Sequence, residues 1–215
     1  MKKLILASNS PRRRELIALF DWPFTVIPAD IDESRLPEES PVQYVRRLAC
    51  EKAQAIAAQE NGLIVAADTI VADGDELLGK PLDEDDARRM LVQLRGRTHQ
   101  VYTGIALIDT ETGESFDDVC RTDVPMREYS DNEIEEYIAT GDPMDKAGAY
   151  AIQHAGFHPV EELTGCYASV MGLPLCHLVV GFRQTGFSPT SELPNRCQAL
   201  LDYQCPIFDD ILGAS

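Results

Sequence analysis

The chain has 215 residues, 44% of them hydrophobic and 26% charged, and a formal net charge of -17. That is ample apolar material for a packed core, while the acidic balance excludes a protein that coats nucleic acid, because such binding draws on Lys and Arg to release counterions. No apolar run approaches the roughly 18 residues of a membrane span, and the short apolar stretch after Met1-Lys2-Lys3 stops at Ser8, so neither a signal peptide nor an anchor is expected.

Leu4 to Ala7 predicts a short buried strand, Ser8-Asn9-Ser10 a turn, and Pro11 the first position of a helix. Phe24 to Ile27 predicts a second strand. An acidic loop from Asp30 to Glu39 then leads to a helix from about Pro41 to Ala58, with Val45, Leu48, Ala49, Ala53 and Ile56 at helical spacing. Leu63 to Ala72 is a near-continuous apolar and β-branched run, as in a strand covered on both faces, interrupted only by Asp68-Thr69. A helix from Glu84 to Leu94, a strand from His99 to Ile108, a turn over Asp109 to Gly113 and a strand to about Met126 follow. Ser130 with Glu133 forms a capping box that opens a helix ending near Thr140-Gly141. Ala147 to Gln153 predicts a strand and Leu173 to Phe182 a last helix. From about Gln184 Pro, Ser, Thr and Gly accumulate, which reads as a linker leading to an appended segment, Cys197 to Leu212. The mixture predicts an α/β or α+β sheet with helices around it.

Six cysteines without a CxxC pair point to a reducing compartment and to a cytoplasmic protein. The four histidines lack zinc-ligand spacing.

Candidate chemistry concentrates at a few positions. Arg12, Arg13 and Arg14 lie in the first turn of a helix, where the macrodipole disfavours cations, so either an anion offsets them or they form a solvated basic face, with Arg14 expected at the surface. Lys52 falls on the apolar stripe of its helix, to snorkel outward or to contact a phosphate in a cleft. Asp68 is the most informative residue: a carboxylate within an apolar strand carries a large desolvation cost unless paired, metal-bound or capping a turn. At a strand end it could hold Mg²⁺ or take a proton from an attacking water. Glu33 is a possible second ligand or a solvated loop acid. Gly79-Lys80-Pro81 could present an ammonium to a phosphate, and Asp145-Lys146 is either a cleft edge or a structural ion pair.

Taken together and in order, Ser8-Asn9-Ser10-Pro11-Arg12-Arg13, Glu33, Lys52, Ala66-Ala67-Asp68-Thr69, Gly79-Lys80-Pro81, His99 to Gly104 and Asp145 to Tyr150 closely resemble the Maf family over roughly residues 3 to 182. The resemblance implies a central mixed sheet and two lobes around a deep cleft, as in inosine triphosphate pyrophosphatases, over a domain of residues 1–183 with a C-terminal extension at 184–215. It implies hydrolysis of a nucleoside triphosphate at the α-phosphorus with release of pyrophosphate, a divalent cation (Mg²⁺ or Mn²⁺), and a homodimer. Carried over by position, Asp68 resembles the general base and a metal ligand with Glu33, and Ser8, Arg13, Lys52 and Lys80 the phosphate-binding set. Arg12, Thr69 and Gln153 resemble the base-discriminating positions of the branch that cleaves dTTP and UTP, with Gln153 expected as a buried amide. A 7-methyl-GTP preference, or a nucleotide-binding regulator of cell division or septum formation, are the alternatives. The acidic stretch His154 to Cys166 and the tail depart from the family pattern.

Overall fold

A computed structural model describes residues 2–213. Its centre is a six-stranded mixed sheet: β1 (Leu4–Leu6), β2 (Phe24–Val26), β3 (Leu63–Asp73), β4 (Glu76–Leu78), β5 (Thr98–Asp109) and β6 (Ser115–Pro125). The order is β2-β1-β3-β5-β6, with β4 paired to β3. β1 runs parallel to both β2 and β3, whereas β3, β5 and β6 form an antiparallel meander.

Period-two alternation along β3 sends its side chains to two different cores. Ile64 and Ala66 pack with Ala49, Ala53 and Ile56 of α2 (Pro41–Ala57) on one face. Leu63, Val65 and Ala67 join a larger core on the other face, with α1 (Pro11–Ala18), α3 (Glu84–Leu94) and α4 (Asp131–Ala139). α2 lies close on the sheet because Gly104 of β5 has no side chain; a Cβ there would stand 2.4 Å from the backbone oxygen of Val45. Local signals set the helix starts. Pro11 and Pro41 occupy first turns behind Ser10 and Ser40, and the Ser130/Glu133 capping box is formed.

Three sequence expectations need correction. Residues 147–153 are not a strand. Gly148 and Ala149 both have positive φ, 71° and 59°, which no ladder accommodates, so the chain makes a 3₁₀ turn at Ala147–Ala149 and runs on irregularly. The helix expected from Leu173 to Phe182 begins two residues later, behind Pro174, as α6 (Leu175–Gln184), and an unexpected short helix, α5 (Tyr167–Met171), precedes it and is ended by Gly172 at φ 107°. The tail is no loose linker: α7 (Leu193–Leu201) and α8 (Phe208–Leu212) fold back, with Leu193 fully buried and Cys197, Leu201, Ile207 and Leu212 against the main core. All six cysteines are free thiols.

α6 is tied to β6 by His177, whose Nδ1 lies 2.6 Å from Asp118 Oδ2. Burial works to lower the imidazole pKa, but the Asp118 hydrogen bond and the neighbouring Cys120 override it and raise it to about 9. A raised folded-state pKa contributes stability that is complete below about 6.5 and is lost as pH climbs through about 9. The melting temperature should therefore fall between pH 6.5 and 9, and His177→Gln should remove that part of the slope in a thermal-denaturation series.

Candidate active site

The loop after β1, the N-terminus of α1, the middle of β3 and the turn after β4 surround a cleft of about 520 Å³. The hydroxyl of Ser10 caps α1 by accepting from the Arg13 amide. Ser8 Oγ accepts twice, from the Ser10 amide at 3.2 Å and from Arg13 Nη1 at 3.3 Å, so its own proton is left to donate into the cleft. Arg13 is further held by Nε donating to the Gly172 carbonyl at 2.8 Å and Nη2 to Thr69 Oγ1 at 3.1 Å. Burial disfavours the Arg13 charge and lowers its pKa although Asp68 opposes this. A fixed guanidinium beside a helix N-terminus with a free hydroxyl is chemistry suited to an oxyanion.

Asp68 shares its β3 face with Ile64 and Ala66 and so meets α2. Lys52 of α2 places Nζ 2.7 Å from Asp68 Oδ1 and 2.6 Å from Glu33 Oε1. Lys52 and Asp68 side chains are each only 10% exposed, and Glu33 is 55% exposed at the mouth of the cleft. Burial pushes the Asp68 carboxyl above the usual aspartate range, against the pull of Lys52 and Arg13, which makes it a better proton acceptor than a solvated aspartate. The Tyr44 hydroxyl, two turns before Lys52 on α2, donates to the Glu33 carbonyl at 2.9 Å and holds the acidic loop over the site.

Ser8, Arg12, Arg13, Glu33, Lys52, Asp68, Thr69 and Lys80 all line this one cleft. Lys80 is exposed at its rim, in a turn anchored by the Gly148 amide donating to the Gly79 carbonyl. Gln153 is different. It is exposed and does not line the cleft: Tyr150 is the last residue of this segment on the cleft wall, and Ala151 and Ile152 are buried outside the cleft before the chain reaches the surface at Gln153. Lys146 is absorbed by Asp142 and Asp145, with Nζ 2.6 Å from Asp145 Oδ1, so this segment is a structural ion pair at the cleft edge. Arg14, as expected, is exposed. The sequence reading passed over Tyr44 and gave no role to Thr103 or Tyr150, which it met only inside longer motifs; the eight-residue spacing of Tyr44 and Lys52 was a usable signal, since both fall on one helix face.

The fold and cleft define a mixed α/β protein with a pocket that sets a buried guanidinium and a helix N-terminus beside a desolvated carboxylate. The chain belongs to the Maf family, whose model, described as Maf-like protein, matches residues 3–185. A Dictyoglomus thermophilum protein named dTTP/UTP pyrophosphatase is 45% identical over 189 residues, covering 87% of this chain and 98% of its own. Proteins of the same name from Geobacter sp. strain M21 and Pseudoalteromonas atlantica are 47% and 48% identical, covering 85% and 80% of this chain and 95% and 91% of theirs. Among solved structures, the Staphylococcus aureus Ham1 protein aligns over 94% of this chain and 98% of its own, with 16% identity and a TM-score of 0.47, a likeness too low to bear on function.

Proposed function

We propose that the protein hydrolyses nucleoside triphosphates, dTTP and UTP foremost, to the monophosphate and pyrophosphate. The observation that carries this reading is the juxtaposition in one cleft of an anion cradle and a buried carboxylate of raised pKa, Ser8 and Arg13 on one side and Asp68 on the other. Phosphoryl transfer asks the protein mainly for in-line positioning and charge neutralisation. Arg13 and Ser8 bind phosphate oxygens, with Lys80 reaching in from the rim. Asp68 accepts a proton from the water that attacks the α-phosphorus, the bond to the bridging oxygen breaks, and pyrophosphate leaves with that oxygen. Lys52 holds Asp68 and Glu33 in place and offsets part of their charge. The pyrimidine preference is supported by the names of the similar proteins and by Arg12 and Thr69 on the cleft wall; the exposure of Gln153 gives it no support from that residue.

A role for Mg²⁺ or Mn²⁺ is supported by the two carboxylates, Glu33 and Asp68, brought together in the cleft, each of which meets Lys52 through one oxygen and keeps its other oxygen for a cation. Among the described residues no group of three or more His, Cys, Asp or Glu could hold a metal, and two carboxylates completed by water and substrate phosphates is the usual Mg²⁺ arrangement. Such a cation would supply neutralisation of the charge that develops on the leaving group. The free thiols suit the cytoplasm, and no helix among the described residues is long and apolar enough to cross a membrane. A homodimer follows from the family resemblance alone, and light scattering would test it.

A panel of dTTP, UTP, CTP, dATP, GTP and 7-methyl-GTP, each with Mg²⁺ or Mn²⁺ and with a chelator, tests the reading. Fastest pyrophosphate release from dTTP and UTP, abolished by the chelator, is expected. Preference for 7-methyl-GTP would keep the chemistry and overturn the base assignment.

A further inference from the structure

Thr103 is fully buried on β5, directly opposite Thr69 of β3. Its hydroxyl oxygen lies 2.8 Å from the Ser169 carbonyl oxygen and 3.0 Å from Thr69 Oγ1. A carbonyl oxygen can only accept, so the single proton of Thr103 is committed to Ser169. Two hydroxyl oxygens in contact need one proton between them, and Thr69 must supply it. Arg13 Nη2, which has donors only, takes one lone pair of Thr69 from the cleft side. Thr69 then has one lone pair left and no proton to offer, and it lines the cleft.

We propose that Thr103 is a positioning residue that makes Thr69 an obligate hydrogen-bond acceptor toward the cleft, reserved for the imide N–H of a uracil or thymine base. The proposal rests on the nucleotide reading above and deepens it. A phosphate oxygen at neutral pH carries no proton to give, so Thr69 stands outside the phosphate-binding set although Arg13 touches it. Ser8 is its opposite, a double acceptor whose proton remains free for an anion. The ring nitrogen of cytosine at the imide position presents a lone pair. Set against the lone pair of Thr69 it leaves both unpaired, and a site with fixed hydrogen-bond polarity rejects a ligand on that ground.

The test is binding of UMP and CMP, read by calorimetry without turnover, to the full chain and to Thr103→Val and Thr103→Ser. The natural chain is expected to prefer UMP by about tenfold or more, the size of one unpaired buried polar contact. Thr103→Val removes the acceptor, frees the Thr69 hydroxyl to donate to cytosine, and should narrow the preference to about threefold or less; Thr103→Ser should restore it. A merely structural role would weaken both nucleotides alike and leave the ratio unchanged. If the valine variant does not fold, Thr103→Cys, of similar size with a weak acceptor, makes the same prediction. Equal binding of UMP and CMP by the natural chain, no binding of either, or an undiminished preference in the valine or cysteine variant overturns the proposal. Absence of pyrophosphate release would overturn the enzymatic reading, and the UMP/CMP ratio would still judge Thr103.

Discussion

Asp68→Asn is expected to lower pyrophosphate release by about 10³- to 10⁴-fold while leaving the protein folded. Asparagine keeps the shape of the side chain and an oxygen for the Lys52 ammonium at the position now 2.7 Å away, but it cannot accept a proton from water. Burial already raises the carboxyl pKa, so the charged form carries a cost that the amide does not. Residual binding of UTP, measured by calorimetry, should stay within about tenfold of the natural chain, because Ser8 and Arg13 are untouched. Near-normal turnover in this variant would remove Asp68 from the mechanism.

Lys52→Met carries the second large effect. The thioether preserves length and packing on the buried face of α2 but deletes the cation shared by Asp68 and Glu33. Breaking a buried pair leaves an uncompensated charge, and the loss should be about 3 kcal/mol at pH 7. The sign of its pH dependence follows from Asp68. Without Lys52 its pKa rises further, so the cost is full where the carboxylate is charged and shrinks as the pH falls and Asp68 takes up a proton. Turnover should fall by about 10²-fold, the effect of losing one preorganised electrostatic group. Urea titrations at pH 7 and pH 5 check the first part. An equal deficit at both would show that packing, and not charge, is what Lys52 contributes.

Much of the site was legible because its residues break local rules. Asp68 interrupts an apolar strand, Lys52 sits on an apolar helical stripe, and arginines crowd a helix N-terminus; Asp68 and Lys52 meet each other in the cleft and Arg13 is held there by Ser8, Thr69 and Gly172, whereas Arg14 turns to solvent. Thr103 breaks no rule, since threonine is an ordinary strand residue, and only the cross-strand register shows whose hydroxyl it meets. Gln153 was misplaced because an apolar run from Ala147 to Ile152 resembles a strand, whereas the positive φ at Gly148 and Ala149 is set by the Gly79 turn and Val71 packed against it. In the tail, Leu193, Cys197 and Leu201 do recur at helical spacing. The surrounding Pro, Ser and Thr obscured that stripe, and it becomes visible once the face of α6 that it covers is known.

The most direct measurement is hydrolysis of UTP in ¹⁸O-labelled water followed by mass spectrometry of both products. Attack at the α-phosphorus, with Asp68 taking the water proton, predicts the label in UMP and unlabelled pyrophosphate. Label in pyrophosphate, or release of inorganic phosphate with UDP, would contradict it.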